Sequence, residues 1–199
     1  DPNNNILKWE YGRIVANFKI TKGGFYIIGH NKKAYKVEED VEHWGFEGKE
    51  RLGSSRGYIW SRSLPMLKDT WALGYGADTY AINFPQKDWV GKLKAFGKTT
   101  KIVDKPHNMY LQTAINTGIP SLLAMIALFA MYFIQSVRLY WDSSFDDTYK
   151  IVGVGILVAF VGYAIAGFFN DSVVSVAPVF WVLLGMGISI NLKLEKSNS

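Results

Sequence analysis

The stretch IPSLLAMIALFAMYFIQSV, residues 119–137, decides how this chain is read. It runs 19 residues without Asp, Glu, Lys or Arg, and about 20 residues at ~1.5 Å rise cross the hydrocarbon core of a bilayer. Residues 151–169 and 173–192 repeat the pattern, also without a charged side chain. Three such runs in succession are too long and too free of charge for the buried helices of a soluble core. They predict three transmembrane helices.

The short connections set their direction. Arg138 and Lys150 flank the first, Lys193 and Lys196 follow the third span, and Asn170-Asp171-Ser172 has no basic residue. Positive charge is retained on the cytoplasmic side. Residues 138–150 and the tail 193–199 are therefore expected inside, and 170–172 together with 1–118 outside. Gly155, Ala159, Gly162 and Ala166 form a small-residue face that is expected to let helices approach closely. Pro120 lies in the first turn of its span, where proline costs little. Pro178 falls inside the third span and is expected to kink it.

Composition agrees once it is split along the chain. Of 199 residues, 49% are hydrophobic, a value that a soluble domain also reaches. Residues 1–117, however, carry a net charge of +6 and residues 118–199 a net of −1. There is no cysteine, hence no disulfide and no thiolate metal ligand. The chain opens on Asp1 without a signal-peptide pattern, and spans at one end only suggest the C-terminal piece of a longer polytopic protein.

The polar region reads as α+β. Arg13–Ile20, Phe25–Ile28 and Ala34–Val37 alternate between turn signals at Thr21-Lys22-Gly23-Gly24 and Gly29-His30-Asn31-Lys32-Lys33, which predicts a three-stranded meander. Residues 38–50 read as charged loop. Ser54-Ser55 offers an N-cap for a helix through about Trp71, with Trp60, Leu64, Leu67 and Trp71 on one side and a bend at Pro65. Residues 74–105, rich in glycine and aromatics, read as a long irregular loop. A helix over about 107–117 follows, stopped by Gly118. The expected organisation is a β-rich segment 1–53, a loop region with short helices 54–118, three spans over 119–192 (119–137, 151–169, 173–192), and a tail 193–199.

Few residues carry obvious chemistry. Pro106 suits the first helical position, which places His107 in the first turn, beside backbone N–H groups that favour an anion. Imidazole moves a proton near neutral pH, and here it stands just before a membrane span. A histidine that merely caps or packs there is the plain alternative. Arg56 and Arg62 offer guanidinium forks suited to phosphate oxygens, or are simply solvated charges on a helix. Lys101 and Lys105 add positive potential near His107. Tyr75, Tyr80, Phe84, Trp89 and Phe96 could hold a glycan or pack on one another. His30 and His43 have no partner spacing for a metal. Walker, Rossmann and nucleophile-elbow motifs are absent from the sequence. The basic excess would suit nucleic acid, but the expected outside location argues against it.

Taken together, Ser55-Arg56-x-x-x-Trp60, then Gly74-Tyr75-Gly76, then His107-Asn108 with nine residues before Gly118 resemble the O-antigen ligase/polymerase family, over about residues 54–137. The stretch from Asp78 through Phe84-Pro85-Gln86 to Asp104-Lys105-Pro106 looks like Gram-positive members. The resemblance implies a multi-spanning membrane glycosyltransferase with an outward-facing site, which takes a glycan from a polyprenyl diphosphate carrier to an acceptor hydroxyl in cell-surface polysaccharide synthesis. It implies inversion, with no metal and no cofactor. It assigns His107 as the base and Arg56 to the donor diphosphate, with Arg62, Asn108 and Lys105 as further substrate-binding candidates. The family's other diphosphate-binding arginines lie on earlier spans, so residues 1–199 alone are expected to be inactive. A transport or channel subunit, or a membrane-anchored glycan-binding module without catalysis, are the competing readings.

Overall fold

The computed structural model describes residues 6–11, 14–22, 24–29, 32–37, 41–141, 144 and 147–198. The expected fold class holds: a mainly helical chain with three long apolar helices at its C-terminal end and a small antiparallel sheet near its start. Two compact units form, Asp1–Asp69 with Ala77–Pro106, and Thr70–Gly76 with His107–Ser199.

In the first unit β1 (Ile6–Tyr11), β2 (Ile14–Thr21), β3 (Gly24–Ile28) and β4 (Ala34–Lys36) pair antiparallel in chain order. The meander thus has four strands, not three. In β1, the alternation of Leu7 and Trp9 with polar neighbours sets them opposite Phe18 and Ala16; directly opposed residues share a face. On β3, Ile27 stands opposite Phe18, so Leu7, Trp9, Ala16, Phe18 and Ile27 occupy one side of the sheet. Arg13, Gly23, His30, Asn31 and residues 38–40, read as strand end, turns and loop, lie outside the described residues.

The helix predicted from Ser54 is α1 (Leu52–Ser63), and it opens unusually. Gly53, Ser54 and Ser55 take left-handed φ values of 59°, 60° and 70°, a region that costs an L-residue roughly 1–2 kcal/mol. Local bonds offset this. Ser55 Oγ donates to the Ala95 carbonyl at 2.8 Å, and Tyr58 N to the Glu50 carbonyl at 3.0 Å. Neither serine is the expected N-cap, since the cap position makes no side-chain bond. Pro65 does end the helix, and Leu64–Lys68 tighten into a 3-10 turn. Tyr58, Ile59 and Met66 are buried, and the helical stretch ends before Trp71, which is 70% exposed.

Residues 74–105 are not an irregular loop. They contain α2 (Tyr80–Asn83) and α3 (Trp89–Phe96). The Asp88 carboxylate accepts from Gly91 N at 2.7 Å to start α3, and left-handed Gly97 ends it. The Tyr58 ring packs edge-on against Phe84 and Phe96, with centroids 6.1 and 5.4 Å away, and Tyr80 lies 5.5 Å from Phe84. Most of these aromatics therefore pack on one another.

The second unit holds α4 (Met109–Thr117), α5 (Ile119–Tyr140), α6 (Thr148–Ala166) and α7 (Ala177–Asn198). The last three are long and apolar enough to span a membrane. Leu123, Met131, Val158 and Val182 stand exposed on them, as lipid-facing residues do and as a soluble core would not allow. Phe129, Tyr132, Phe160, Phe180 and Leu184 are the buried seam. The spans shift from their expected limits. α6 starts at Thr148 because the Asp147 carboxylate accepts from Tyr149 N. α7 starts at Ala177, so Pro178 sits in its first turn and kinks nothing. The expected small-residue face is not the contact: Cβ atoms built on Gly155 and Gly162 meet nothing within 4 Å. The close approaches are at Gly153 and Gly187, where a methyl would collide with the hydroxyls of Tyr140 and Tyr132. Asn191 accepts from the Tyr140 hydroxyl at 2.6 Å and donates to Ser136 Oγ at 2.8 Å, a polar lock within the bundle.

Candidate active site

The nine-residue gap after Asn108 is the length of one helix. Asn108 Oδ1 accepts from Leu111 N at 2.9 Å and starts α4, and Gly118, at φ 96°, separates α4 from α5. A methyl on Gly118 would stand 2.6 Å from the Ala72 carbonyl oxygen, and one on Gly74 would collide with the Asn116 carbonyl. The Gly74-Tyr75-Gly76 segment runs against the end of α4, with Tyr75 N and Gly76 N donating to the carbonyls of Ile115 and Asn116 at 2.9 Å each. These are the carbonyls a helix end otherwise leaves unsatisfied.

The start of α4 does the same for the end of α6. Tyr110 Oη donates to Ala164 O at 2.7 Å, Met109 N to Gly167 O at 2.7 Å, and Asn108 Nδ2 to Phe168 O at 3.0 Å. Gln112 Oε1 then accepts from Ser172 N at 3.1 Å. This clamp fixes the loop after α6, and with it Asp171.

His107 is not in the first helical turn, as its spacing after Pro106 predicted; it precedes the cap. The N–H groups of Met109 and Leu111 are already bonded, to Gly167 O and Asn108 Oδ1, which removes them as an anion cradle. His107 itself has φ 51°, a left-handed geometry rare outside glycine and of the strained kind that clusters at functional sites. Its Nδ1 lies 2.8 Å from Asp171 Oδ2. The histidine side chain is 41% exposed and the aspartate 7%. A carboxylate only accepts, so Nδ1 carries the hydrogen, and in the neutral imidazole Nε2 is left with the lone pair. Asp171 Oδ1 is buried and has no hydrogen-bond partner among the described residues. The pair has the form of a base held in one tautomer by a buried acid.

The remaining candidates divide. Arg62 Nε donates to Asp88 Oδ2 at 2.9 Å, Nη1 reaches Ser61 Oγ at 3.0 Å, and the guanidinium lies 4.8 Å from the Tyr58 ring centre. With side chains 10% and 6% exposed, Arg62 and Asp88 form a buried ion pair. Burial, with the Asp88 charge as a smaller cause, pushes the Tyr58 phenol well above its ordinary range. Arg56 is half-buried, with Nη1 on the Gly53 carbonyl at 2.9 Å. Both amide atoms of Asn108 serve the α4 cap and the α6 clamp. Lys105 is half-buried. Trp60 Nε1 donates to the Pro106 carbonyl at 2.8 Å.

Asp171 escaped the sequence reading as a site residue, where it was only a loop charge. A signal existed: it is the sole acidic residue between Asp147 and Glu195, in the loop expected on the same side as His107. Beside the clamp, an apolar cleft of about 480 Å³ opens between α5 and α6, walled by Tyr110, Phe133, Ala164 and Phe168 among others.

Fold and site together define a membrane protein with a carboxylate-oriented imidazole at one end of its apolar helices. Residues 14–126, more than half of the chain, match the O-antigen ligase family, and the chain belongs to it. No curated protein and no solved structure matches the chain. Membership makes this a membrane protein of glycan processing in the ligase/polymerase class, with the bilayer and lipid-linked glycans as its surroundings. The matched region stops within α5, so Asp171 lies beyond it.

Proposed function

We propose that this protein transfers a glycan from a polyprenyl diphosphate carrier to an acceptor hydroxyl on the outer side of the cytoplasmic membrane, with residues 1–118 and 170–172 outside and 193–199 in the cytoplasm. The observation that carries it is the 2.8 Å contact between His107 Nδ1 and the buried Asp171 carboxylate, beside a clamp on the end of a membrane-length helix. In the proposed step the acceptor oxygen bonds to the anomeric carbon of the donor sugar. The bond from that carbon to the diphosphate oxygen breaks, its electron pair leaves with the diphosphate, and configuration inverts. Nε2 of His107 takes the hydroxyl proton, and Asp171 steadies the imidazolium. By the family resemblance, the leaving diphosphate is assigned to Arg56, with Lys105 as a further candidate; no metal ion or cofactor takes part. Arg62 supports the fold through Asp88, and Asn108 orients His107 from the helix cap. The apolar cleft between α5 and α6 suits an isoprenoid chain in chemistry and size.

The test is His107→Ala in the native cell. Loss of surface polymer with accumulation of lipid-linked glycan is the expected outcome. Unchanged polymer would leave a glycan-binding module as the better account.

A further inference from the structure

The one face of the sheet that carries Trp9, Phe18 and Ile27 is opposed by α3, and the space between them is a groove with two chemistries. One half, about 490 Å³, is walled by Trp9, Phe18, Trp89 and Leu93, with Arg51, Lys94 and Glu50 among its lining. The other half, about 480 Å³, has Lys32, Lys98, Thr99 and Thr100 as the polar part of its lining. Ile27 and Leu93 wall both halves, so the two adjoin. Each half lies within the size range of small-molecule sites.

We infer that this groove binds an acidic oligosaccharide. A sugar ring is itself two-faced, with C–H groups above and below and hydroxyls around its edge. Indole and phenyl faces suit the first, and hydroxyl and ammonium groups the second. An acyl chain would have no use for Thr99, Thr100 and two lysines. An extended peptide adds to a sheet at an open edge through backbone bonds, whereas this groove crosses a sheet face, where recognition falls to side chains. Four cations (Arg51, Lys94, Lys32 and Lys98) against one acid (Glu50) select a ligand with negative charge, such as a uronate-bearing glycan. Arg51 is oriented for this by Nε, which donates to the Lys94 carbonyl at 2.8 Å. This inference rests on the glycan-transferase reading for its biological sense and adds a substrate-holding site built from the strands and α3.

The experiment uses the full chain in lipid nanodiscs, with hexagalacturonate and maltohexaose as acidic and neutral probes in titration calorimetry. Wild type is expected to bind hexagalacturonate more tightly than maltohexaose. The double charge reversal Lys32→Glu/Lys98→Glu changes two exposed side chains. It is expected to weaken hexagalacturonate about tenfold or more and to leave maltohexaose within about twofold. Trp9→Ala is expected to weaken both probes. Equal affinity for the two saccharides, binding to neither, or binding indifferent to all these substitutions would overturn the inference; so would displacement of a fluorescent fatty acid, but not of saccharide, by Trp9→Ala. His107→Ala separates the two readings. If it abolishes transfer while the groove variants leave saccharide binding untouched, only the groove assignment fails. If the groove variants behave as expected while His107→Ala leaves polymer intact, only the transferase reading fails.

Discussion

Replacing Asp171 by Asn keeps the size of the side chain and removes its charge. In the structure Oδ2 accepts from His107 Nδ1 at 2.8 Å, in surroundings that leave the carboxylate 7% exposed. A hydrogen bond to a charged group contributes about 1.5–3 kcal/mol. If that energy supports the imidazolium as the proton moves, transfer should slow about 10- to 100-fold. Removing the imidazole by His107→Ala should cost more, about 10²- to 10⁴-fold. Because the carboxylate acts only through the imidazole, the double variant should be no slower than His107→Ala alone. Folding should barely change, since Oδ1 has no partner to lose; Tm should move by no more than about 4 °C. The assay is release of lipid-linked glycan into polymer by membranes from the native cell, with Asp171→Glu included, which should recover part of the rate. A rate equal to wild type in Asp171→Asn, or a further loss when that change is added to His107→Ala, would refute the coupling of the two side chains.

Three other changes probe the frame around the pair. Asn108→Ala removes both the α4 cap and the bond to Phe168 O; a loss of about 1–2 kcal/mol is expected in thermal denaturation, with transfer reduced through His107. Arg62→Met strands a buried Asp88 charge and should cost about 3–5 kcal/mol in chemical denaturation, whereas Arg62→Met/Asp88→Asn should be milder, a difference a double-mutant cycle would reveal. Gly74→Ala drives a methyl into the Asn116 carbonyl and should expose residues 70–76 to limited proteolysis, while Gly155→Ala, facing open space, should change neither stability nor proteolysis.

The sequence determined the membrane architecture, because charge-free runs of about 19 residues have few ways to satisfy their backbone other than as spanning helices. It also marked His107, Asn108 and Gly118, since the spacing equals the length of a capped helix, and it supplied the family resemblance that residues 14–126 bear out. Short local signals were present too: the alternation of β1, and within 74–105 the Asp88 cap and the Gly97 stop of α3, which aromatic and glycine content there outweighs. Other features no local signal specified. The left-handed turn at Gly53-Ser54-Ser55 and the 3-10 turn at Leu64–Lys68, which ends the helix before Trp71, are set by the packed backbone. Gly153 and Gly187, and not the regular stripe at Gly155, became the close contacts because Tyr140 and Tyr132 point at them. Above all, the partner of His107 lies 64 residues further on. Only the tertiary fold, through α4 clamping the end of α6, brings that lone carboxylate to the imidazole, since the interaction depends on distance in space and not along the chain.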